Sequence, residues 1–277
     1  MSREVLIEWS ICRFGMGITD PTYAIEVSKT IGATGVLLRM DFDLEKNELG
    51  RIAQSVNTYK AAGFTVYLNP LSSTLLTPSE ISGLLNLNVD GIQWSFWIGA
   101  DSNGIPSMFD SAQSEPALIA LANACKAVGK KCGYYHGDAT GNVNVVMLSQ
   151  AGLIVRAWWF PPWWKPGTWD ISPIWAEMCI WRGIYTTSAW GHPETTALDI
   201  HNWYNTLGRK PEAILWEHWL STENEIATEE QIQAMKEVSK EYLPTPIEPT
   251  PSNQIVLPLI ILAVVGVGIV SGLYLRK

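Results

Sequence analysis

The chain has 277 residues, of which 47% are apolar and 17% charged, and its 19 Lys and Arg against 27 Asp and Glu give a net charge of −8. This composition excludes a disordered chain, a collagen-like chain and a small disulfide-built module. The acidic balance, without a basic cluster, also argues against nucleic acid as a partner, because binding the phosphate backbone requires clustered lysines and arginines.

Short runs of apolar, β-branched or aromatic residues recur along the chain and predict eight β-strands. They cover residues 5–9, 35–40, 64–68, 91–97, 131–135, 153–158, 178–185 and 213–218. Stretches with helical spacing lie between several of them, as at residues 49–59 and 118–125, and another follows the last at 232–242. Capping residues and N-terminal prolines indicate four helix starts, at Asp20-Pro21, Thr77-Pro78, Glu115-Pro116 and Thr228-Glu229.

This alternation of strands and helices is typical of an α/β fold. Eight strand–helix units in about 240 residues predict a (β/α)8 barrel of the TIM type over residues 1–243. An open parallel sheet has the same periodicity and is the alternative. The sequence contains neither G-x-G-x-x-G nor G-x-x-x-x-G-K-[ST], which weakens a nucleotide-binding open sheet. In a barrel, we expect the chemistry just beyond the carboxyl ends of the strands.

Polar residues near the strand ends repeat on one phase of the strands. Because alternate residues of a barrel strand point inward, this phase predicts a polar cleft. Its members, in chain order, are Glu8, Ser10, Arg39, Asp41, Tyr67, Asn69, Gln93, Ser95, Tyr134, His136, Asp138, Arg156, Trp158 and Glu217. A buried hydrogen-bond network without a ligand, or a wrong phase on some strands, explains the same pattern.

Carboxylates on neighbouring strands of this predicted barrel are the candidate catalytic residues. Glu217, Glu8 and Asp41 fall on the eighth, first and second strands, which are adjacent in a closed barrel, with Arg39 among them. Glycosidic bond cleavage requires two carboxyl groups, one with a raised pKa as the acid and one ionised. Asp138 is a further candidate, and for each of these carboxylates a structural ion pair is the alternative.

A tryptophan-rich loop follows the sixth predicted strand and contains Trp158, Trp159, Trp163 and Trp164 among several prolines. Indoles stiffened by proline present flat apolar faces that suit stacking on sugar rings. The other candidate substrate-binding residues are Arg39, Asn69, Tyr134, His136 and Arg156. Two alternatives for the tryptophans are a loop folded over the barrel mouth and an interfacial membrane anchor.

The cysteines and histidines lack the spacing of a metal site. Cys12, Cys125, Cys132 and Cys179 form no C-x-x-C, and the four histidines form no H-x-x-x-H. We therefore expect buried free thiols, no metal site and no cofactor.

The end of the chain predicts a membrane anchor. Residues 255–275, from Ile255 to Leu275, carry no charge and are long enough to cross a bilayer as one helix, followed by the basic pair Arg276 and Lys277. Before them lies the segment 244–254, and in its part up to residue 251 a proline occupies almost every second position. This spacing favours an extended, semi-rigid stalk.

The orientation of this anchor is open from the sequence. The stalk and the basic tail are typical of a domain displayed on an external surface. The first residues, however, show no basic segment followed by a 7 to 15 residue apolar stretch, so no secretory signal is visible. A cytoplasmic domain with a tail anchor and a domain displayed by another route, as in an enveloped particle, are both consistent with these features.

Two of the predicted strands resemble those of the barrels of glycoside hydrolases, including lysozyme-type muramidases. The resemblance rests on the succession of strand–helix units and on the runs 35–41 and 133–136. Those muramidase-like barrels carry an acidic D-x-E at the fourth strand, where this sequence has Gln93-Trp94-Ser95. The resemblance implies either a hydrolase with carboxylates on other strands or a sugar-binding barrel without catalysis.

The sequence is therefore consistent with two functions. The first is a membrane-anchored glycoside hydrolase-like barrel that acts on or binds surface glycans through a Trp-lined cleft. The second is a non-catalytic surface protein, such as a virion envelope protein, that binds a carbohydrate or a receptor. A close carboxylate pair favours the first function, and scattered acids favour the second.

Overall fold

The computed structural model of the protein describes residues 3–12, 18–96, 98–100, 106–107, 111–136, 144–159, 174–181, 194–207, 211–218 and 227–244. The strands in chain order are β1 (Glu4–Ser10), β2 (Gly35–Asp41), β3 (Thr65–Ser72), β4 (Gly91–Phe96), β5 (Ile98–Ala100), β6 (Pro106–Ser107), β7 (Lys131–His136), β8 (Ile154–Trp159), β9 (Ile174–Ile180) and β10 (Ala213–His218). The helices are α1 (Pro21–Thr30), α2 (Phe42–Glu45), α3 (Leu49–Ala61), α4 (Pro78–Leu85), α5 (Ser111–Ala127), α6 (Val145–Gln150), α7 (Ala197–Thr206) and α8 (Glu229–Tyr242).

Eight parallel strands form a closed barrel in the order β1-β10-β9-β8-β7-β4-β3-β2. The barrel closes where the first and last strands pair, with Val5 opposite Ile214 and Leu6 opposite Leu215. β5 and β6 form a separate antiparallel pair. The predicted (β/α)8 barrel is confirmed, and the open sheet is excluded because β1 has partners on both sides.

The alternation of side chains along each strand builds two apolar clusters. On β1, Val5, Ile7 and Trp9 belong to the larger cluster, which also contains buried residues of the surrounding helices. Leu6, between them, belongs to a smaller cluster inside the barrel. The other members of that inner cluster are Leu37, Tyr67, Ile154, Trp175, Ala213 and Leu215. Positions of the same phase further along each strand therefore also face the barrel interior.

Three of the four predicted helix starts are confirmed. The side chain of Asp20 accepts a hydrogen bond from the backbone of Thr22 at the start of α1, and Thr77 and Thr228 form capping boxes at α4 and α8. The fourth is wrong, because α5 begins at Ser111 and Pro116 lies inside it. A proline tolerated at a first turn indicates a helix start, but here the helix extends five residues further toward its N-terminus.

The described residues contain no helix that is long and apolar enough to cross a membrane. The chain divides into the units Met1–Pro244 and Thr245–Lys277, and every described residue belongs to the first. The predicted membrane span 255–275, its basic tail 276–277 and all but the first residue of the predicted stalk 244–254 lie outside the described residues.

Candidate active site

Seven buried polar side chains occupy inward positions on seven strands of the barrel, toward their carboxyl ends. They are Glu8, Arg39, Asn69, Gln93, Arg156, Glu177 and Glu217, and none is more than 6% exposed. Five of them, Glu8, Arg39, Arg156, Glu177 and Glu217, are joined by ion pairs, and we call these five the glutamate–arginine cluster.

Arg39 joins β2 to the two strands that close the barrel. Its Nε lies 2.7 Å from Oε1 of Glu8, and its Nη2 donates to Oε2 of the same carboxylate at 3.0 Å. The same Nη2 also donates to Oε1 of Glu217 on β10. This forked contact holds the guanidinium rigidly between the two carboxylates.

Arg156 makes the equivalent connection from β8. It forms a two-point contact with Glu177 on β9, with Nε 2.7 Å from Oε2, and its Nη2 donates to Oε2 of Glu8 at 2.7 Å. Oε1 of Glu217 lies 3.6 Å from this Nη2. The guanidinium also lies over the ring of Tyr135, 5.3 Å from its centroid. Arg156 therefore contacts all three glutamates of the cluster.

Two uncharged side chains complete the contacts of the glutamates. Asn69 on β3 donates from Nδ2 to Oε1 of Glu8 at 2.8 Å. The thiol of Cys179 on β9 donates to Oε2 of Glu217 at 2.8 Å. With the two arginines, Asn69 gives Glu8 four hydrogen-bond donors, which is sufficient to hold a buried charge.

The environment moves the pKa values of two adjacent carboxyl groups in opposite directions. Complete burial raises the pKa of Glu177 well above its usual value, against the attraction of Arg156, and the neighbouring Glu217 raises it further. Burial also disfavours the charge of Glu217, but Arg39 and Arg156 outweigh it and lower its pKa to about 2. Oxygens of the two carboxyl groups lie within 4.8 Å of one another, so two negative charges here would repel, and one proton on the pair relieves that repulsion. We assign that proton to Glu177.

Charge counting supports this assignment. Three ionised glutamates and two arginines would leave a buried net charge of −1, whereas one protonated glutamate makes the cluster neutral. Burial alone lowers the pKa of Arg39, but Glu8 and Glu217 raise it above its usual value, so the guanidinium stays charged. The proton is therefore held by a carboxyl group, and Glu177 and Glu217 share it as a pair.

The three carboxylates lie close enough to hold a metal ion, since one oxygen of each lies within 4.8 Å of the others. The arginines oppose this use, because Arg39 and Arg156 donate to oxygens that a cation would need. Their two positive charges would also repel a divalent cation. The donor set therefore fits proton exchange and hydrogen bonding better than metal binding.

The structure brings together five of the predicted site residues: Glu8, Arg39, Asn69, Arg156 and Glu217. Asp41, a predicted catalytic residue, lies outside this group at the end of β2. Its Oδ1 accepts a hydrogen bond from the backbone of Leu44 and caps α2. A carboxylate at a helix N-terminus satisfies backbone donors, and this explains Asp41 without catalysis.

The predicted inward phase is wrong on β7. Tyr134 belongs to the helix-facing apolar cluster, whereas Tyr135, one residue later, lies beside Arg156 inside the barrel. The run Gly133-Tyr134-Tyr135 offers two tyrosines on opposite phases, and periodicity does not choose between them. Tyr135 replaces Tyr134 as the tyrosine of the site.

The remaining predicted residues fall at or beyond the limits of the described part. His136, Trp158 and Trp159 are strand residues of β7 and β8, but their side chains are not described. Asp138, Trp163 and Trp164 lie outside the described residues. The Trp-lined cleft is therefore still a prediction.

Sequence reasoning missed Glu177 and Cys179. The seventh strand was predicted at residues 178–185, whereas β9 spans Ile174–Ile180, so Glu177 fell outside the predicted strand. The signal was present in the alternation of Trp175, Glu177 and Cys179, which face inward, with Ala176 and Met178. The four cysteines are free and buried, as expected.

Comparison with known proteins supports the fold. No family model matches the sequence, and no curated protein matches it. Among solved structures, a β-glucanase from Saccharophagus degradans in complex with cellotetraose has 12% identity and a TM-score of 0.54, over 87% of this chain and 88% of the enzyme. A glycoside hydrolase family 5 enzyme from Prevotella bryantii has 11% identity and a TM-score of 0.53, over 87% and 99%.

An α-L-fucosidase from Paenibacillus thiaminolyticus has 11% identity and a TM-score of 0.50, over 86% of this chain and 72% of the fucosidase. Identities this low establish a common fold and no common chemistry. The chain therefore has a barrel that resembles those of glycoside hydrolases at the level of the fold.

Proposed function

We propose that this chain is a glycoside hydrolase-like barrel that cleaves glycans, with Glu177 as the proton donor and Glu217 as the ionised carboxylate. The observation that carries the proposal is the arrangement of Glu177 and Glu217 inside one barrel, with oxygens within 4.8 Å and with Arg156 and Arg39 against them, which moves their two pKa values in opposite directions. Pairs of carboxyl groups with separated pKa values divide the acid and base roles in glycosidases. The barrel fold, which is shared with a β-glucanase and a family 5 hydrolase, is one that can carry this chemistry.

The separation of the carboxyl groups favours a covalent route. Their oxygens lie within 4.8 Å, closer than the roughly 6.5–9.5 Å that leaves room for an attacking water. In this route Glu217 attacks the anomeric carbon while Glu177 protonates the departing glycosidic oxygen. Glu177, now ionised, then removes a proton from water, and the hydroxide releases the sugar from Glu217 and regenerates both groups.

Hydrolysis of defined oligosaccharides by the full chain tests this proposal. The substrates are cellotetraose, mannan, chitin and fucoside oligosaccharides, and the variants are Glu177→Gln and Glu217→Gln. Each variant removes a titrating group, so we expect activity to fall by about 10²-fold or more. Glu26→Gln, an exposed substitution on α1, is the matched control and should keep full activity. Absence of hydrolysis in the parent chain would refute the enzyme.

A specific observation favours the second candidate, a non-catalytic glycan-binding or receptor-binding barrel. Glu8 already accepts four hydrogen bonds and Glu217 is held by a guanidinium and a thiol. A fully satisfied network of this kind also stabilises a barrel without reacting. Binding of an oligosaccharide by the parent chain, without any hydrolysis, would select this candidate.

The membrane anchor and the Trp-lined cleft complete the proposal. Residues 255–275 would hold the barrel at a bilayer through the stalk 244–254, and Trp158, Trp159, Trp163 and Trp164 would stack on the sugars of a surface glycan. The barrel would face the exterior, with a cytoplasmic tail-anchored barrel as the alternative.

Fractionation of the full chain tests the anchor. We expect the parent chain to stay in the membrane pellet after a carbonate wash. Leu262→Arg with Val265→Arg should release it, because each arginine at the centre of a span costs about 2.5–3.5 kcal/mol. Equal retention of the parent and the double variant would refute the anchor.

A further inference from the structure

Gln93 is a buried polar side chain without a hydrogen-bond partner among the described residues. It lies on β4, it is 1% exposed, and both its Nε2 and its Oε1 are unpaired. Oδ1 of Asn69, which is 0% exposed, is also unpaired, although Nδ2 of the same residue donates to Glu8. Buried groups of this kind are rare in folded proteins and call for an explanation.

These unpaired atoms lie on neighbouring strands. Tyr67 of β3 pairs with Gly91 of β4, and Asn69 and Gln93 each lie two residues further along, on the same inward phase. On the other side, Gln93 pairs with Gly133 of β7. A Cβ atom at Gly133 would lie 2.0 Å from Oε1 of Gln93. The glycine therefore leaves room for the Gln93 amide beside the glutamate–arginine cluster.

The next inward positions of the neighbouring strands are partly open to solvent. Leu71 follows Asn69 on β3, Tyr135 follows Gly133 on β7, and both are partly exposed. The unpaired amides therefore lie one layer of side chains below the accessible rim of the barrel. Ser95, the next inward residue of β4 itself, is 3% exposed, so a ligand group that enters from this rim reaches the amides only when these side chains move aside.

The chemistry of the unpaired atoms selects the ligand group. Gln93 offers a donor and an acceptor, and Asn69 offers an acceptor. The charge of the nearest carboxylate, Glu8, is already balanced by Arg39 and Arg156, so a charged ligand gains little here. A hydroxyl group, which donates once and accepts twice, can accept from Nε2 of Gln93 and donate to one of the two amide oxygens.

We propose that Gln93 and Asn69 form a subsite that binds a hydroxyl group of the glycan and determines which sugar is accepted. The inference rests on the proposed function and deepens it. A site whose buried polar groups need a hydroxyl discriminates strongly against a sugar without it, because its own groups are then left unpaired.

Binding measurements on the full chain test the subsite. The probe is the oligosaccharide of the panel above that binds best, together with its monodeoxy analogues. We expect one deoxy position to weaken binding to the parent chain by about tenfold or more. In Gln93→Met, the parent sugar should bind more weakly and that deoxy analogue should lose its disadvantage. Gln54→Met, an exposed substitution on α3, is the matched control and should behave as the parent chain does.

A second measurement needs no ligand. Met has a length similar to Gln and no group to satisfy, so Gln93→Met should raise the Tm if the amide is unpaired in the free protein. A lower Tm would overturn the proposal, because it would show that the amide already contributes hydrogen bonds to the fold.

The outcomes separate this proposal from the proposed function. If no oligosaccharide binds to the parent chain, the proposed function fails and the subsite fails with it. If the parent chain binds a sugar and all deoxy analogues bind equally to the parent chain and to Gln93→Met, only the subsite fails. A high-resolution structure of the complex that shows an internal water on Gln93 and no sugar hydroxyl would also overturn it.

Discussion

At the residue scale, the interior of the barrel holds charges that are stable only as a group. Glu8, Glu177 and Glu217 are each at most 5% exposed, and each is held by at least one arginine. Taking one carboxylate out of water costs several kcal/mol unless its partners stay in place. Removal of one member of the cluster should therefore leave the charges of its partners poorly compensated and lower the free energy of unfolding.

Arg39→Met should lower the free energy of unfolding by about 3–5 kcal/mol, because it removes the two-point contact of Glu8 and one partner of Glu217. Lys46→Met is the control. Lys46 is 46% exposed and pairs with Glu80 at 3.4 Å, and an exposed pair contributes about 1 kcal/mol or less. Urea titration of both variants measures the difference, and equal losses would contradict a cooperative cluster.

Glu177→Gln should remove part of the pH dependence of stability. The native state keeps a proton on Glu177 that the unfolded chain releases above a pKa of about 4.3. The stability of the parent chain should therefore fall as the pH rises above this value, by about 1.4 kcal/mol per unit until the raised native pKa is passed. Gln resembles the protonated carboxyl group, so the variant should lack this slope.

Urea unfolding at pH 5, 6 and 7 checks this prediction, and parallel slopes for the two proteins would contradict it. The contribution of Glu217 to the pH dependence of stability has the opposite sign. Its pKa of about 2 lies below that of the unfolded chain, so the stability that it contributes is present above about pH 4.3 and is lost as the pH falls toward 2.

At the element scale, the phase of each strand decides which side chains meet. β7 contributes Gly133 and Tyr135 to the interior next to the glutamate–arginine cluster. Gly133 leaves space that a larger side chain would fill, and Tyr135 adds an aromatic ring. The space is used by Gln93 from β4, and the ring lies against Arg156 from β8. β7, which contributes no charged side chain to the glutamate–arginine cluster, thus shapes the sites of its two neighbours.

Gly133→Ala should destabilise the protein by about 1–3 kcal/mol or more, because the new Cβ would lie 2.0 Å from Oε1 of Gln93 and 2.3 Å from the backbone oxygen of Ile154. Gly50→Ala is the control. Apart from its chain neighbours and the backbone of its own helix, nothing lies within 4 Å of its Cβ position in the first turn of α3, and Ala is the better helix former by about 0.5–1 kcal/mol. Thermal unfolding should move the Tm in opposite directions, and a neutral Gly133→Ala would contradict the close contact.

At the scale of the whole molecule, α8 and the N-terminal segment contact each other near the β1–β10 pair that closes the barrel. Tyr242 is fully buried, its hydroxyl donates to the backbone oxygen of Pro211, and its ring lies 5.4 Å from the guanidinium carbon of Arg3. Arg3 also donates to the backbone oxygen of Tyr242 at 3.0 Å. One side chain thus links the approach to β10, the last helix and the first strand.

Tyr242→Ala should lower the free energy of unfolding by about 3–5 kcal/mol through the lost packing. Tyr242→Phe keeps the ring and should lose only about 0.5–1.5 kcal/mol for the hydrogen bond. Because the barrel is closed, tryptophan fluorescence and far-UV circular dichroism should follow one transition in both variants. Separate transitions would show that the closure opens before the rest of the barrel.

The sequence predicts the barrel well because each strand–helix unit leaves a local pattern. It predicts Glu8, Arg39, Asn69, Arg156 and Glu217 together because their strands alternate clearly. It does not fix the phase of residues 131–135, where adjacent tyrosines satisfy both faces. It misses Glu177 because the apolar run 178–185 is taken as the strand, although Ser172-Pro173 mark the start of β9 at Ile174. The separation of the Glu177 and Glu217 pKa values depends on three-dimensional proximity, which no local pattern contains.

The pairing of Val5 with Ile214 has a consequence for synthesis in the cell. At about 5–20 residues per second, a ribosome needs roughly 10–40 s between releasing the first strand and the last. During this time the nascent sheet has two unpaired edges, which are templates for association with other chains. We expect recovery of folded protein to depend on translation speed and on chaperones that shield those edges, more strongly than on the final stability of the ring.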